Sequence, residues 1–562
     1  MSEATSNKKP YFGLTGMALN AWVNVACITA MTLFGYDQGV YGGIIVTEDF
    51  LRTMGHPNSQ LQGTIVSLYD IGCFVGAMSS FAFGEKLGRK KMLIIGVVVM
   101  SIGAIIQTAS FNVTTILVSR IITGLGNGCI SLLLRYFSSS DGFSQYQHGQ
   151  RSGLAKRDHK GVPSRNGDNS RDDVRFSTYW CLLLHQSFSS MNIAGYALSN
   201  WITFGLSYVE GSISWRLPLA FQLVFSIILL GTIPWLPESP RWLLAHGHEE
   251  QGAAILAALE GDHVKPTDIV IIERKTEILE AVRIEKETSP SWSDLLRGRT
   301  GQSGMVKRMI LGIGTQLMQQ LSGINVTTYY LPLVLQNSVG LSNSLSRLLA
   351  ACNAMSYLGF SFAGLYLIER AGRRKLLMFG AAGQAVCYIL IAAFLSQNSG
   401  AAATAFFFLF YVFFGSCWQG VPWLYPVEIN SLSMRTKGAA LATGMNWIIN
   451  YAVVQATPPG IDRLGWKFYL IWMSFNIAIV PIIYLFYPET SNRHLEDIDR
   501  LYREHQGMVF VFRNKEATQT ERPAHYSQTD VERVAHAKTS LDVAAIDHLE
   551  HAELEAESAE KK

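Results

Sequence analysis

A charged, glycine-containing turn occurs twice in this chain, about half the chain apart. It reads Gly84-Glu85-Lys86-Leu87-Gly88-Arg89-Lys90-Lys91 between the second and third apolar stretches. It returns as Ile368-Glu369-Arg370-Ala371-Gly372-Arg373-Arg374-Lys375 between the eighth and ninth. A second pair keeps the same order: Pro237-Glu238-Ser239-Pro240-Arg241 after the sixth stretch, and Pro488-Glu489-Thr490-Ser491-Asn492-Arg493 after the twelfth. Two motif types recurring in one order imply two homologous halves of six spans each. That is the layout of a membrane carrier whose substrate site lies between its halves.

The stretches are long enough to cross a bilayer as helices, which takes about 20 apolar residues. They fall near 22–46, 61–83, 92–110, 113–136, 179–205, 216–236, 306–336, 346–368, 376–396, 403–427, 437–457 and 467–487. Only 16% of the 562 residues are charged, against roughly 25% in soluble domains. The expected fold is therefore an all-α membrane protein with twelve transmembrane helices in two pseudo-symmetric six-helix halves. The chain divides into a tail (1–20), a first half (21–243), a charged helix-prone linker (244–304), a second half (305–495) and a tail (496–562). Lys and Arg crowd the loops after spans two, six, eight and ten and thin out after three, seven and nine. That bias puts both termini in the cytoplasm. The first 20 residues are mostly polar and show no cleavable signal. The final tail is rich in Glu, His, Lys and Ala, its five histidines are scattered, and it reads as largely disordered or loosely helical. Cysteines 27, 73, 129, 181, 352, 387 and 417 lie in or beside the spans without metal spacing and read as packing residues.

The repeated turn needs glycine to bend between two helices, and its arginines can reach carboxylates or helix-end carbonyls on neighbouring spans. One copy would read equally well as a basic loop marker. Two copies in matching places, with Glu85 and Glu369 at the same offset, favour a conformational latch built from Glu85, Arg89, Glu238, Arg241, Glu369, Arg373 and Glu489. Asp37 and Arg120 each sit within an apolar span, where an unpaired charge is costly. As a pair they are either a static salt bridge or a proton-coupling switch. In span seven, Gln316 and Gln320 share a helix face, with Gln319 to the side. Gly323 and Pro332 loosen that helix, so Asn325 can turn into the same cavity. Amides offer both donor and acceptor to a hydroxyl, and they also glue helices to one another. On the residues alone, glue is the simpler reading. Trp423 follows Gly420 and Pro422, which suggests a broken helix exposing an indole.

These residues resemble the sugar porter family of the major facilitator superfamily, and within it the fungal hexose and polyol transporters. The matching stretches are Phe34-Gly35-Tyr36-Asp37-Gln38-Gly39-Val40, Arg120-Ile121-Ile122-Thr123-Gly124-Leu125-Gly126, Pro237-Glu238-Ser239-Pro240-Arg241-Trp242-Leu243, Gln319-Gln320-Leu321-Ser322-Gly323-Ile324-Asn325, Val421-Pro422-Trp423 and Pro488-Glu489-Thr490. They run from residue 11 to about 500, with one gap. The resemblance implies that Gln319, Gln320, Asn325, Asn353, Trp423 and Asn446 contact sugar. It implies that Glu428 is a latch carboxylate facing Arg370, Arg373 and Arg374. It also implies that aspartate at position 37 permits proton coupling. The implied function is transport of a monosaccharide, a hexose foremost, by alternating access through the plasma membrane in symport with a proton. The alternatives are a sugar or polyol facilitator and a non-transporting sugar sensor. The partners implied are a sugar, a proton and the bilayer. An enzyme, a cofactor, a metal and nucleic acid are not expected.

The gap runs from Gly128 to about Asn192. There the family's short loop with Pro-x-x-x-Ser-Glu, the latch carboxylate of the first half, is absent. A polar insert of about 40 residues, 137–177, stands in its place, where helix connections usually take about 2 to 8 residues. Span five then opens on Trp180, Cys181 and His185, which carry no family signal. The insert is either a genuine cytoplasmic insertion with a repacked fifth span or translated intron or out-of-frame sequence. The second is favoured, because both flanks match the family while the composition between them resembles neither loop nor span.

Overall fold

The structure, a computed structural model, describes residues 10–140, 190–297, 304–493, 495–505, 509–523 and 525–526. Most of the expected insert and the start of span five lie outside the described residues. So does any carboxylate that would follow span four. Among the described residues every regular element is helical, and nine stretches are long and apolar enough to cross a membrane.

The long helices before the linker are α1 (Gly16–Ile44), α2 (Ser59–Leu87), α3 (Arg89–Thr108), α4 (Val113–Ser140), α5 (190–205) and α6 (Ile213–Thr232). Glycines let α2 and α4 approach closely. A Cβ at Gly72 would lie 2.4 Å from Ile121 O, and one at Gly124 would lie 2.1 Å from Tyr69 O. Gly76 and Gly128 repeat this one turn on, at 2.1 and 2.2 Å from Leu125 O and Cys73 O. Between lipid-facing helices such close backbone packing replaces the hydrophobic drive that water supplies elsewhere.

The linker folds as α7 (Glu249–Glu260) and α8 (Ile269–Thr288). After it, span seven is two helices, α9 (Met305–Leu321) and α10 (Ile324–Asn337). Gly323 separates them at φ +86, a conformation that an L side chain resists. Then come α11 (Asn343–Ala371) and α12 (Arg373–Ser396). Span ten is broken into α13 (Gly400–Phe413), a wide π-type turn (Phe414–Trp418) and α14 (Val421–Ile429). The bundle closes with α15 (Arg435–Leu464) and α16 (Phe468–Phe486).

The two repeated motifs meet. In the first half, Gly88 takes φ +87 and α3 begins at once. The backbone N–H groups of Arg89 and Lys90 donate to Glu238 Oε1 at 3.1 and 3.3 Å. In the second half, Gly372 takes φ +83, and Arg373 and Arg374 donate from their backbones to Glu489 Oε1 and Oε2 at 2.9 and 3.1 Å. Each motif glutamate thus caps the helix that the repeated turn starts, where free N–H groups and the helix dipole favour an anion. A Cβ at Gly372 would lie 2.4 Å from Glu489 Oε2.

Of the two expectations for the tail, its first part takes the helical one and is packed. A helix, α17 (Leu495–Glu504), packs under the second half, with Ile498, Leu501 and Tyr502 buried. Asp499 pairs with the buried Arg308 of α9 at 2.5 Å, and Asp497 accepts from Arg522 Nε at 2.7 Å. An apolar stripe at helical spacing gives this segment something to bury, which its charged composition conceals.

Gly372→Ala should lower stability by about 2 kcal/mol, since it adds both backbone strain and a contact with a buried carboxylate. Gly231→Ala on α6, where a Cβ meets nothing within 4 Å, should change little. Thermal unfolding of the two detergent-purified variants checks this, and equal midpoints would contradict it.

Candidate functional site

The site begins with the two broken spans. A helix interior satisfies its own backbone, so a break exposes carbonyls that side chains must answer. Gln319 Nε2 donates to Trp418 O at 3.0 Å, and Gln316 Nε2 donates to Pro422 O at 2.7 Å. The helix α9 is thereby tied to the π-type turn and to the start of α14. The other ends of these amides accept from Asn446 Nδ2 of α15, at 2.6 Å for Gln316 Oε1 and 3.3 Å for Gln319 Oε1. Past Gly323, Asn325 Nδ2 donates to Gln320 Oε1 and to Asn450 Oδ1, both at 2.5 Å.

These groups border a cavity of about 320 Å³ between the halves. It is lined by Gln316, Gln319, Gln320, Asn325, Asn446, Asn450 and Trp423, and across from them by Gln38, Asn192 and Tyr196. Among the described residues, no carboxylate lines its amide-rich end. The lining continues to Arg89, Arg241, Glu285 and Arg435 at the linker side, so the cavity reaches that face. Toward the opposite face the halves close on each other. A Cβ at Gly42 of α1 would lie 2.9 Å from Tyr329 O of α10. Ser67 donates to Gln455 Oε1 at 2.8 Å, Asn343 Nδ2 to Val46 O at 2.7 Å, and the buried Arg347 to Thr47 Oγ1 at 3.1 Å.

Of the six expected sugar contacts, five line the cavity. Asn353 does not. It is fully buried on α11, with neither amide atom hydrogen-bonded among the described residues. Trp423 is half-buried on α14, where the broken helix presents it to the cavity. Asp37 and Arg120 pair at 3.5 Å, both at 0% exposure. Arg120 also donates to Ile65 O and Val66 O at 3.2 and 3.0 Å and lies between the rings of Tyr41 and Tyr69, 4.1 and 4.4 Å from their centroids. Asp37 Oδ2 has no hydrogen-bond partner within geometric limits among the described residues.

At the linker face, Arg373 grips Glu428 with Nη2 at 2.9 Å and Nε at 3.2 Å, the fork geometry of a strong charge-assisted pair. Glu428 also accepts from Thr490 Oγ1 at 2.6 Å. Arg370 instead stacks over Tyr366, and Arg374 donates to Tyr484 O at 2.7 Å. Arg241 pairs with Glu285 of α8 at 2.6 Å, and Glu285 accepts from Thr436 of α15 at 3.2 Å, so the linker bridges the halves. Glu85 is exposed and takes part through its carbonyl, which accepts from Trp242 Nε1 at 2.6 Å. The side chain of Glu369 lies outside the described residues.

Sequence reasoning passed over Asn450, which carries no signal of its own, and Asp70, a carboxylate in an apolar span. The cost that singles out Asp37 applies to Asp70 as well.

Comparison with known proteins gives a match to the family model described as Sugar (and other) transporter over residues 22–139 and 178–502. The break in that match, 140–177, falls inside the expected insert. The chain is 44% identical to the MFS-type transporter oryC of Aspergillus oryzae, over 98% of both chains. It is 31% identical to the Sugar transporter STL1 of Saccharomyces cerevisiae, over 95% of this chain and 90% of that one. Its fold matches the solved MFS proton:xylose symporter XylE, from E. coli, with a TM-score of 0.67 and 22% identity over 86% of this chain and 98% of that one.

In a background with all seven cysteines replaced, Ala439→Cys, which lines the cavity, should react with a charged maleimide added from the linker side. Gln60→Cys, at the other end of the bundle, should react only from the opposite side. Labelling of Ala439→Cys from the Gln60 side would contradict the closure described above.

Proposed function

The chain belongs to the Sugar (and other) transporter family of the major facilitator superfamily, and from that premise we propose that it carries a monosaccharide, a hexose foremost, across the plasma membrane by alternating access in symport with a proton. The observation that carries this reading is the cavity between the halves, with its uncharged amides from α9, α10 and α15 and the indole of Trp423. A sugar is a ring of hydroxyls, each donor and acceptor. Amides can pair with such hydroxyls without charge, and an indole face suits the C–H side of the ring. A charged substrate would find no counter-ion among these amides.

With the basic linker face in the cytoplasm, as the charge bias of the loops supports, both termini are cytoplasmic and the cavity opens inward. Outward opening then requires the contacts of α1 with α10 and of α2 with α15 to part while the linker-side ends close. The Glu285 bridge is already made while the cavity opens on this side, and the Arg373–Glu428 grip lies within the second half, so closing this side has to rearrange the contacts around them.

Proton coupling rests on Asp37. Protonating its carboxylate removes the charge that holds Arg120, so the two states of Asp37 favour different packings of α1 against α4. A facilitator is the second reading, and it too has an observation behind it. Arg120 keeps two carbonyls and two aromatic faces beside Asp37, as a static tie would.

Expression in a yeast lacking its own sugar carriers tests both. D-glucose uptake should acidify the cells and alkalinise the medium, and Asp37→Asn should abolish accumulation while exchange survives. Concentrative uptake in that variant would remove Asp37 as the coupling site. Gln320→Ala and Trp423→Ala should each lower uptake at limiting sugar by roughly tenfold, about 1.4 kcal/mol of lost binding. Unchanged uptake in both would reject this cavity as the sugar site.

A further inference from the structure

The helix α2 carries a carboxylate that neither the Asp37–Arg120 pair nor the linker-side latch uses. Asp70 is at 0% exposure in the middle of an apolar span. The cation that acts on it, Arg120, is engaged by Asp37 and two carbonyls. Asp70 Oδ2 has no hydrogen-bond partner among the described residues. Its Oδ1 accepts one hydrogen bond, from Asn450 Nδ2 at 2.9 Å. Asn450 stands on α15, in the other half of the chain, and lines the cavity.

That single bond has a consequence two residues away. A carboxylate oxygen facing an amide offers only lone pairs, whether or not the other oxygen holds a proton. Asn450 must therefore turn its Nδ2 toward Asp70 and its Oδ1 away. The oxygen accepts from Asn325 Nδ2 at 2.5 Å, and the same Nδ2 donates to Gln320 Oε1 at 2.5 Å. The order passes along three amides. Asn325 keeps its Oδ1, an acceptor, for the cavity, and Gln320 keeps its Nε2, a donor.

We propose that Asp70 is a positioning residue that fixes the direction of this amide row, so that Asn325 accepts from, and Gln320 donates to, a polyhydroxylated ligand. The ligand's identity rests on the sugar reading above; the direction of the row does not. An asparagine at 70 would tie α2 to α15 as well as aspartate does. It would not fix the row, because an amide presents either a donor or an acceptor. The link also crosses between the halves, so it exists only in a conformation where α2 and α15 touch at this depth.

The test uses the full-length protein in lipid nanodiscs with two readouts: the thermal midpoint, and equilibrium binding of D-glucose, D-xylose and glycerol followed by tryptophan fluorescence. The variants are Asp70→Asn, Asn450→Asp and the two together. Asp70→Asn should weaken binding about threefold to tenfold, one hydrogen bond's worth, with little change in midpoint. Asn450→Asp sets two carboxylates against each other and should lower both readouts. The double variant moves the carboxylate to 450, where it still accepts from Asn325, and should recover both. Wild-type binding by Asp70→Asn, or a double variant no better than Asn450→Asp, would overturn the proposal. If wild type binds none of the three compounds while the double variant recovers its midpoint, the amide order is supported and the sugar reading is what fails.

Discussion

In a bundle surrounded by lipid, a polar group that leaves water has to find its partner inside the protein. The middle of this molecule is arranged around that requirement. Breaking span seven at Gly323 and span ten after Phe413 frees backbone carbonyls, and the amides of Gln316 and Gln319 answer two of them. Those amides are fixed in turn by Asn446, and Asn325 by Gln320 and Asn450. The helix-tying role of these residues is thus compatible with the proposed ligand role. The bonds that hold the broken helices in place leave the remaining amide atoms pre-oriented toward a cavity, and pre-orientation lowers the entropic cost of gripping a small ligand.

The same requirement explains why the chain repeats itself. A helix that starts directly from a left-handed glycine begins with unsatisfied N–H groups, and in both halves a glutamate from a Pro-Glu-Ser/Thr motif supplies the acceptor. The halves differ in what surrounds this cap. In the second half, Arg373 joins the cap to Glu428 and Ser491. In the first, the nearby Arg241 is drawn to Glu285 of the linker, which also reaches Thr436 of the second half. The linker is therefore part of the contact between the halves, in addition to being their covalent connection.

A good part of this was legible in the residues. Apolar length and sparse charge fix a helical membrane fold, because only a helix or a closed barrel satisfies its backbone in lipid. The repeats announce two related halves. Gly323 and the Gly420–Pro422 pair mark helix breaks, since both residue types act through the local backbone. The expected contacts at Gln319, Gln320, Asn325, Trp423 and Asn446 were implied by the family resemblance, not by spacing, and these five line the cavity. The tail read as disordered or loosely helical from its composition, and that α17 packs was not legible, because its apolar stripe needs the surface of the second half to bury against.

What the sequence determined by itself was everything that depends on near neighbours along the chain: span length, helix breaks, the glycine turns and the kinds of polar group inside the membrane. Tertiary structure decided which of those groups meet. Asn353 has the right chemistry and the right span but is buried away from the cavity. Asp70 and Asn450 are 2.9 Å apart at Oδ1 and Nδ2, with most of the chain between them. No pattern along the sequence encodes that distance, because hydrogen-bond direction and cavity membership are set by how one half packs on the other.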